Sequence, residues 1–203
     1  MPMPSELEDV CLTWEEGKDV GEHANRPHRA VTLFYKYFGK ESGLDVSLLH
    51  EHKDVCMPLL KSHQHDLCTR LGMRGRILLA PEGINGTLSA ADKDVIKTYI
   101  EAMEKFDLSK ELESSSHVTL EDVGKGVIKN RNEDMRMLFS GIDWKMSDVD
   151  GHTASFSREP FPDLKISTVR EIVSTGGAID VSEIPHFGGK HLSPKEFHEE
   201  LKR

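Results

Sequence analysis

Two apolar runs separated by three turn residues constrain this chain more than any other feature. Residues 76–80 (Arg-Ile-Leu-Leu-Ala) and 84–89 (Ile-Asn-Gly-Thr-Leu-Ser) read as strands, and Pro81, Glu82 and Gly83 join them. Gly83 is placed to take positive φ, so the join reads as a tight hairpin turn. A helical pattern flanks the hairpin on each side. Upstream, Pro58 suits the first turn of a helix, where a missing N–H costs little. Leu59, Leu60, His63, Leu67 and Leu71 keep a helical stripe, and Gly72 stands as a C′ glycine with Met73 packing back. The spacing predicts a helix over 57–71. Downstream, Ser89 reads as an N-cap with Asp92 three residues on, a capping-box variant. Val95, Tyr99, Met103 and Phe106 mark the apolar face of that second helix, broadened by Ile96 and Ile100.

Further strands bracket this centre. Val31–Phe38 is β-branched and aromatic, with Leu33, Tyr35 and Tyr37 on one face and Phe34, Lys36 and Phe38 on the other. Met137–Phe139 and Asp143–Met146 are short strand candidates. Leu164–Val173 reads as the final strand, with a bulge near Val169 and an end at Gly176 and Gly177. The order β-α-β-β-α-β is that of a ferredoxin-like α+β fold: an antiparallel sheet with two helices on one face.

The domain boundaries follow. Residues 1–29 read as a flexible acidic arm, and 30–176 as the ferredoxin-like domain. A polar stretch at 109–135 is too long for an ordinary loop and reads as an insertion. Residues 177–203 read as a linker and a short helix, with Ser193 as N-cap, Pro194 at N1, Glu196 at N3, and Phe197 and Leu201 one turn apart.

Charge limits the partners. The 203 residues carry 26 Lys and Arg against 35 Asp and Glu, a net charge of −9. Such a chain does not attract phosphate by its total charge, so any nucleic-acid contact rests on a local basic patch. The block 31–110 is electrically balanced while both flanks are acidic. No apolar run approaches the ~18 residues of a membrane span, so no membrane partner is expected. Cys11, Cys56 and Cys68 are odd in number and give no disulfide framework, which suits a reducing compartment. The N-terminus lacks an apolar core and has no basic residue before Lys18, so neither a secretory nor a transit signal is read there. The cytoplasm is the default location.

Arg70, Arg74 and Arg76 form the densest basic group and are candidate phosphate contacts, or complements to a helix C-terminus. Lys36 between Phe34 and Phe38 suggests base stacking on an open sheet, or core packing. Asn85, between Gly83 and Gly86, is a candidate polar contact to RNA. The glycines themselves read as a backbone nest for phosphate or as a hairpin that needs tight geometry. His50, His52, His63 and His65 fall in i, i+2 pairs on different helix faces, so no metal site is read there. A phosphate-cradling loop with an arginine is not found after the first strand, where residues 39–45 carry acids and no arginine. Acylphosphatase catalysis is therefore not expected from the fold alone.

Three segments carry a family resemblance. They are 75–87 (Gly-Arg-Ile-Leu-Leu-Ala-Pro-Glu-Gly-Ile-Asn-Gly-Thr), 161–173 (beginning Phe-Pro-Asp-Leu-Lys-Ile) and 191–198 (His-Leu-Ser-Pro-Lys-Glu-Phe-His). In this order they resemble the N-terminal domain of the tRNA uridine(34) hydroxylase family, a rhodanese-related group. The resemblance covers roughly 30–108 and 134–203, with Gly75, Gly83, Ile84, Asn85, Gly86 and Thr87 in its central motif. It implies an acylphosphatase-like, ferredoxin-like domain followed by a rhodanese domain with a catalytic cysteine. It also implies oxygen-dependent conversion of the tRNA wobble uridine to 5-hydroxyuridine. None of Cys11, Cys56 or Cys68 heads a rhodanese loop, so no catalytic residue carries over and no cofactor is expected. The resemblance thus points to a substrate-positioning half, inactive alone, whose partners are tRNA and a rhodanese domain in cis or in trans. The alternative is a stand-alone binding or regulatory module acting with a protein partner.

Overall fold

The computed structural model describes residues 26–38, 47–114, 137–149, 160–178, 190 and 192–202. Its first strand, β1 (Ala30–Tyr37), alternates strictly: Ala30, Thr32 and Phe34 are buried while Leu33 and Tyr35 are exposed. Two helices follow, α1 (Ser47–Glu51) and α2 (Lys53–Arg70). The hairpin β2 (Arg74–Ala80) and β3 (Gly83–Ala90) comes next, then α3 (Lys93–Glu104) and α4 (Leu108–Ser114). Two short strands, β4 (Lys145–Asp148) and β5 (Leu164–Thr168), complete the sheet, and α5 (Pro194–Glu200) lies near the C-terminus.

The sheet order is β4-β1-β3-β2-β5. The first four strands are antiparallel to their neighbours and form the expected ferredoxin-like sheet. β5 then adds to the far edge of β2 in parallel, which makes the sheet mixed rather than wholly antiparallel. The segment read as the closing strand of the ferredoxin pattern is therefore this fifth strand. β4 closes the pattern beside β1; it shares only Lys145 and Met146 with the short candidate Asp143–Met146 and runs on to Asp148. The other candidate, Met137–Phe139, is a turn whose Leu138 and Phe139 are buried in the core.

Both long helices cover the face that carries Phe34, Ile77, Leu79, Ile84 and Leu88. Gly86 sits opposite Phe34 in the β1–β3 register. A Cβ at residue 86 would lie 2.4 Å from the Phe34 ring. The ring thus lies over the bare backbone and meets Trp144 at 4.6 Å and Tyr99 at 6.1 Å between centroids. Gln64 joins the helices: the Tyr99 hydroxyl donates to its Oε1 at 2.6 Å, and its Nε2 donates to the Met103 sulfur at 2.9 Å. The side-chain polarity of a fully buried glutamine is thereby satisfied.

The helix boundaries show where local signals compete. α2 ends as expected: Gly72 takes φ 62°, its N–H donates to Thr69 and the Met73 N–H donates to Cys68, a Schellman closure. Its start lies earlier than Pro58, which sits inside the helix and leaves the Asp54 carbonyl without the usual amide donor. The buried stripe also rotates, running through Cys56, Met57, Leu60, Gln64, Leu67 and Cys68. α3 is capped by Asp92, whose carboxylate accepts from the Asp94 and Val95 amides. Ser89 is instead the buried penultimate residue of β3, with its hydroxyl 2.7 Å from His28 Nδ1. The start of the presumed polar insertion is helical, because Leu108 and Leu112 are buried in the core; residues 115–136 lie outside the described residues, as does most of the N-terminal arm. Gly83 does not adopt positive φ; it is required because a Cβ there would meet the Lys36 carbonyl at 2.4 Å.

Two outcomes follow from this packing. Gly86→Ala forces a methyl into the Phe34 ring and is expected to destabilise the domain by about 1–3 kcal/mol, read from the urea midpoint. His63 packs on Phe106 at 4.2 Å, and burial lowers its pKa to about 4. Its unfolded form titrates near 6.5, so protonation of the unfolded chain removes stability as pH falls from 6.5 towards 4. This contribution has a slope of at most about 1.4 kcal/mol per pH unit. The stability of His63→Leu is expected to fall less steeply over that window than that of the parent chain.

Candidate nucleic-acid interface

The register of the sheet assigns every strand residue to one of two faces. Away from the helices lie Leu33 and Tyr35 of β1, Asn85 and Thr87 of β3, and Arg74, Arg76 and Leu78 of β2. Lys145 of β4 and Lys165 of β5 extend the same face to both edges. One row crosses all five strands as Lys145, Leu33, Thr87, Arg76 and Lys165. Leu33 is 47% and Tyr35 58% exposed, so this face presents apolar and aromatic surface to water beside its cations. The strand positions of this face hold four cations and no carboxylate, in a chain whose net charge is −9.

Two acids border the face. Asp143 pairs with Lys145 at 2.6 Å, and Asp163 pairs with Arg76. Arg76 is the more committed of the two cations. Its guanidinium also donates to the carbonyls of Gly75 and Asp163 and lies 6.0 Å from the Phe161 ring centroid. It therefore anchors the start of β5 to β2. Lys145 and its acid are both well exposed, so that pair is weak and exchangeable.

One end of the face is walled off. After β5 the chain turns across the sheet, and Ile172 buries itself against Gly83. The Asn85 amide donates to the Ile172 carbonyl at 3.1 Å, and the Ile172 amide donates to Glu82 at 2.7 Å. The Val169 amide still donates to the Leu79 carbonyl, but β5 ends at Thr168: the position read as a bulge within a strand reaching Val173 is where the strand stops and the chain changes direction. The Glu171 carboxylate closes the next turn by accepting from Thr175 and Gly176, which lowers its pKa, and Gly176 and Gly177 both take positive φ.

The structure divides the sequence-derived candidates. Arg74 and Arg76 lie on the open face, whereas Arg70 is in the last turn of α2. Asn85 is on the open face, but its amide holds the crossing segment. Lys36 points to the helix side, where its ammonium donates to the Ser140 carbonyl and reaches Met137 O at 3.4 Å. Its neighbours Phe34 and Phe38 are buried, and partial burial lowers the Lys36 pKa. The exposed aromatic residue of β1 on the open face is Tyr35, between Phe34 and Lys36. The sequence does not mark Lys145 and Lys165 as members of this face, because alternation within four- and five-residue strands carries little signal. The glycine motif is structural: Gly75 takes φ 145° against Thr87 and Leu88, and Gly83 and Gly86 meet β1. The histidines His50, His52, His63 and His65 do not converge on a metal site; no cluster of three or more potential ligands is found among the described residues. The loop 39–46, where an acylphosphatase arginine was sought, lies outside the described residues. A separate cleft of about 680 Å³ opens between α2, the β2–β3 turn and the end of β5, with Lys53, Asp54 and Arg170 in its lining.

A family model described as the UPF0176 acylphosphatase-like domain matches residues 29–172. The chain belongs to this family. Proteins named tRNA uridine(34) hydroxylase in Bacillus cereus (strain B4264) and Bacillus anthracis are 31% identical to it over 179 residues, 88% of this chain and 39% of theirs. A protein of the same name in Bacillus thuringiensis (strain Al Hakam) is 31% identical over 137 residues, 67% of this chain and 30% of that one. The chain therefore spans well under half the length of these relatives.

Within this UPF0176 domain the two described cysteines are not poised as nucleophiles. Burial pushes the Cys56 thiol up to about 11 and the Cys68 thiol up to about 12, so both are protonated at neutral pH. No helix among the described residues is long and apolar enough to cross a membrane. Because Lys36 serves the 137–141 turn, Lys36→Met is expected to lower stability by about 1–2 kcal/mol. Thermal melting of the variant beside the parent chain checks this loss.

Proposed function

We propose that this chain is the substrate-positioning part of an enzyme that converts the wobble uridine of tRNA to 5-hydroxyuridine. The observation that carries the reading is the open sheet face, where four cations and no carboxylate occupy the strand positions. Phosphate contacts of this kind orient a nucleic acid without reading its sequence. The relatives named tRNA uridine(34) hydroxylase supply the substrate, and their greater length supplies room for a catalytic part. On this reading the rhodanese chemistry comes from a second domain, in cis or in trans, and the positioning half is inert by itself. The buried thiols of Cys56 and Cys68 agree with that division. The reading places the protein in the cytoplasm, where such a tRNA is modified and free thiols persist.

The exposed apolar pair on α5 suits a protein neighbour for the same division of labour. Phe197 is 55% and Leu201 69% exposed, and the helix starts on a complete Ser193–Glu196 capping box. These side chains are available to meet the catalytic part.

Binding of unmodified tRNA to the full chain, followed across a salt series, tests the proposal. Replacing Arg74, Lys145 and Lys165 by Gln is expected to weaken binding at least tenfold and to reduce the slope of log K against log salt by about 2. Arg70→Gln, off this face, is expected to leave both unchanged. Failure of the parent chain to bind tRNA at low salt would refute the reading.

A further inference from the structure

Phosphate contacts account for the cations of the open face but not for its exposed Tyr35 and Leu33. We propose that this face binds unpaired nucleotides, with a base stacked on Tyr35 and the backbone held across the sheet between Lys145 and Lys165. The inference rests on the tRNA-positioning reading and specifies which form of RNA the face takes.

Three observations converge on it. First, Tyr35 and Leu33 are adjacent same-face positions of the interior strand β1, and both are exposed. Neither side chain contributes to the core, so their apolar surface is left for a ligand. A base in an A-form duplex is stacked on its neighbours and offers an aromatic ring no free π-face; an unpaired base does. Second, the cations sit where a backbone would run. Lys145 and Lys165 are in register at opposite edges of the sheet, four interstrand steps apart, or about 19 Å at ~4.8 Å per step. Thr87 and Arg76 lie between them in the same row. That row is adjacent to Tyr35 along β1, so a strand lying across it brings a base over the ring while its phosphates meet the edge lysines. Third, the crossing segment limits the path. Ile172 fills the space above Gly83, and Asn85 is tied to the Ile172 carbonyl. Asn85 shares the row of Tyr35, so the wall closes that row beyond β1 and keeps a single strand to the row of Leu33, with Tyr35 beside it at the wall's edge; a broad rigid duplex lying along β1 and β3 meets the wall.

The experiment compares two RNAs with the full chain: a hairpin with an unpaired loop, and the same sequence annealed to its complement as a continuous duplex. The hairpin is expected to bind at least tenfold more tightly at equal salt. Tyr35→Ala is expected to lose about tenfold in hairpin affinity, within the range of base–aromatic stacking, and little in duplex affinity. Tyr35→Phe retains the ring and is expected to stay within twofold of the parent. Because Tyr35 is exposed, its removal leaves no cavity, and an unchanged melting temperature confirms that loss of binding is not loss of fold. Irradiation of a 4-thiouridine-labelled loop is expected to crosslink to the β1 peptide. Equal affinity for hairpin and duplex, or full hairpin affinity in Tyr35→Ala, would overturn the inference while leaving tRNA binding itself intact. RNA bound with its crosslinks on other elements would also overturn it, and would assign the exposed Leu33 and Tyr35 to a protein partner. Absence of tRNA binding by the parent chain would remove the underlying reading instead.

Discussion

The packing of Phe34 over Gly86 is the constraint on which the rest of the domain depends. The two residues face each other on the central strands β1 and β3, and the missing Cβ leaves room for the ring. Trp144, just before β4, and Tyr99 of α3 then close on that ring. One contact thus draws together the central pair, the edge strand and a covering helix. Tyr99 passes the connection to α2 through Gln64. With both long helices committed to this side, the opposite side of the sheet is left to polar, basic and isolated aromatic residues.

That division gives neighbouring residues opposite roles. Phe34 and Lys36 serve the core and a turn, whereas Tyr35 between them faces outward. A shift of one position in β1 would exchange the two sets, which is why register is strongly specified where one face is buried. The added strand β5 has a similar double role. It widens the open face by one strand, and the chain beyond it limits that face through Ile172. Arg76, bound to Asp163, fixes the start of β5 and so helps set where both features lie.

The parts legible in the sequence were those with strong local codes. The β2–β3 hairpin, the apolar face of α3, the glycine end of α2 and the capped start of α5 each follow from residues within one or two turns of each other. Errors arose where two codes compete. Ser89 has the chemistry of an N-cap, but β3 continues through it and Asp92 makes the cap. Pro58 resembles a helix start, yet the apolar contacts of Cys56 and Met57 keep the helix running through it from Lys53. Leu164–Val173 looks like one strand because Ile166 and Ile172 are both apolar, but they are buried in different places, one in the core under the helices and one against Gly83 on the other face.

By itself, the sequence determined the central hairpin, the two long helices beside it, the glycine at 72 that closes α2, and the family to which the chain belongs. These depend on local periodicity, backbone freedom and an uninterrupted motif. Only the tertiary structure decided that β5 joins in parallel, that Lys36 turns inward, and that Lys145 and Lys165 share a row with Arg76. Those facts depend on pairing between strands far apart in the chain. A short strand can pair on either side of a sheet with nearly the same local preference, and its place is chosen by the whole set of contacts it completes.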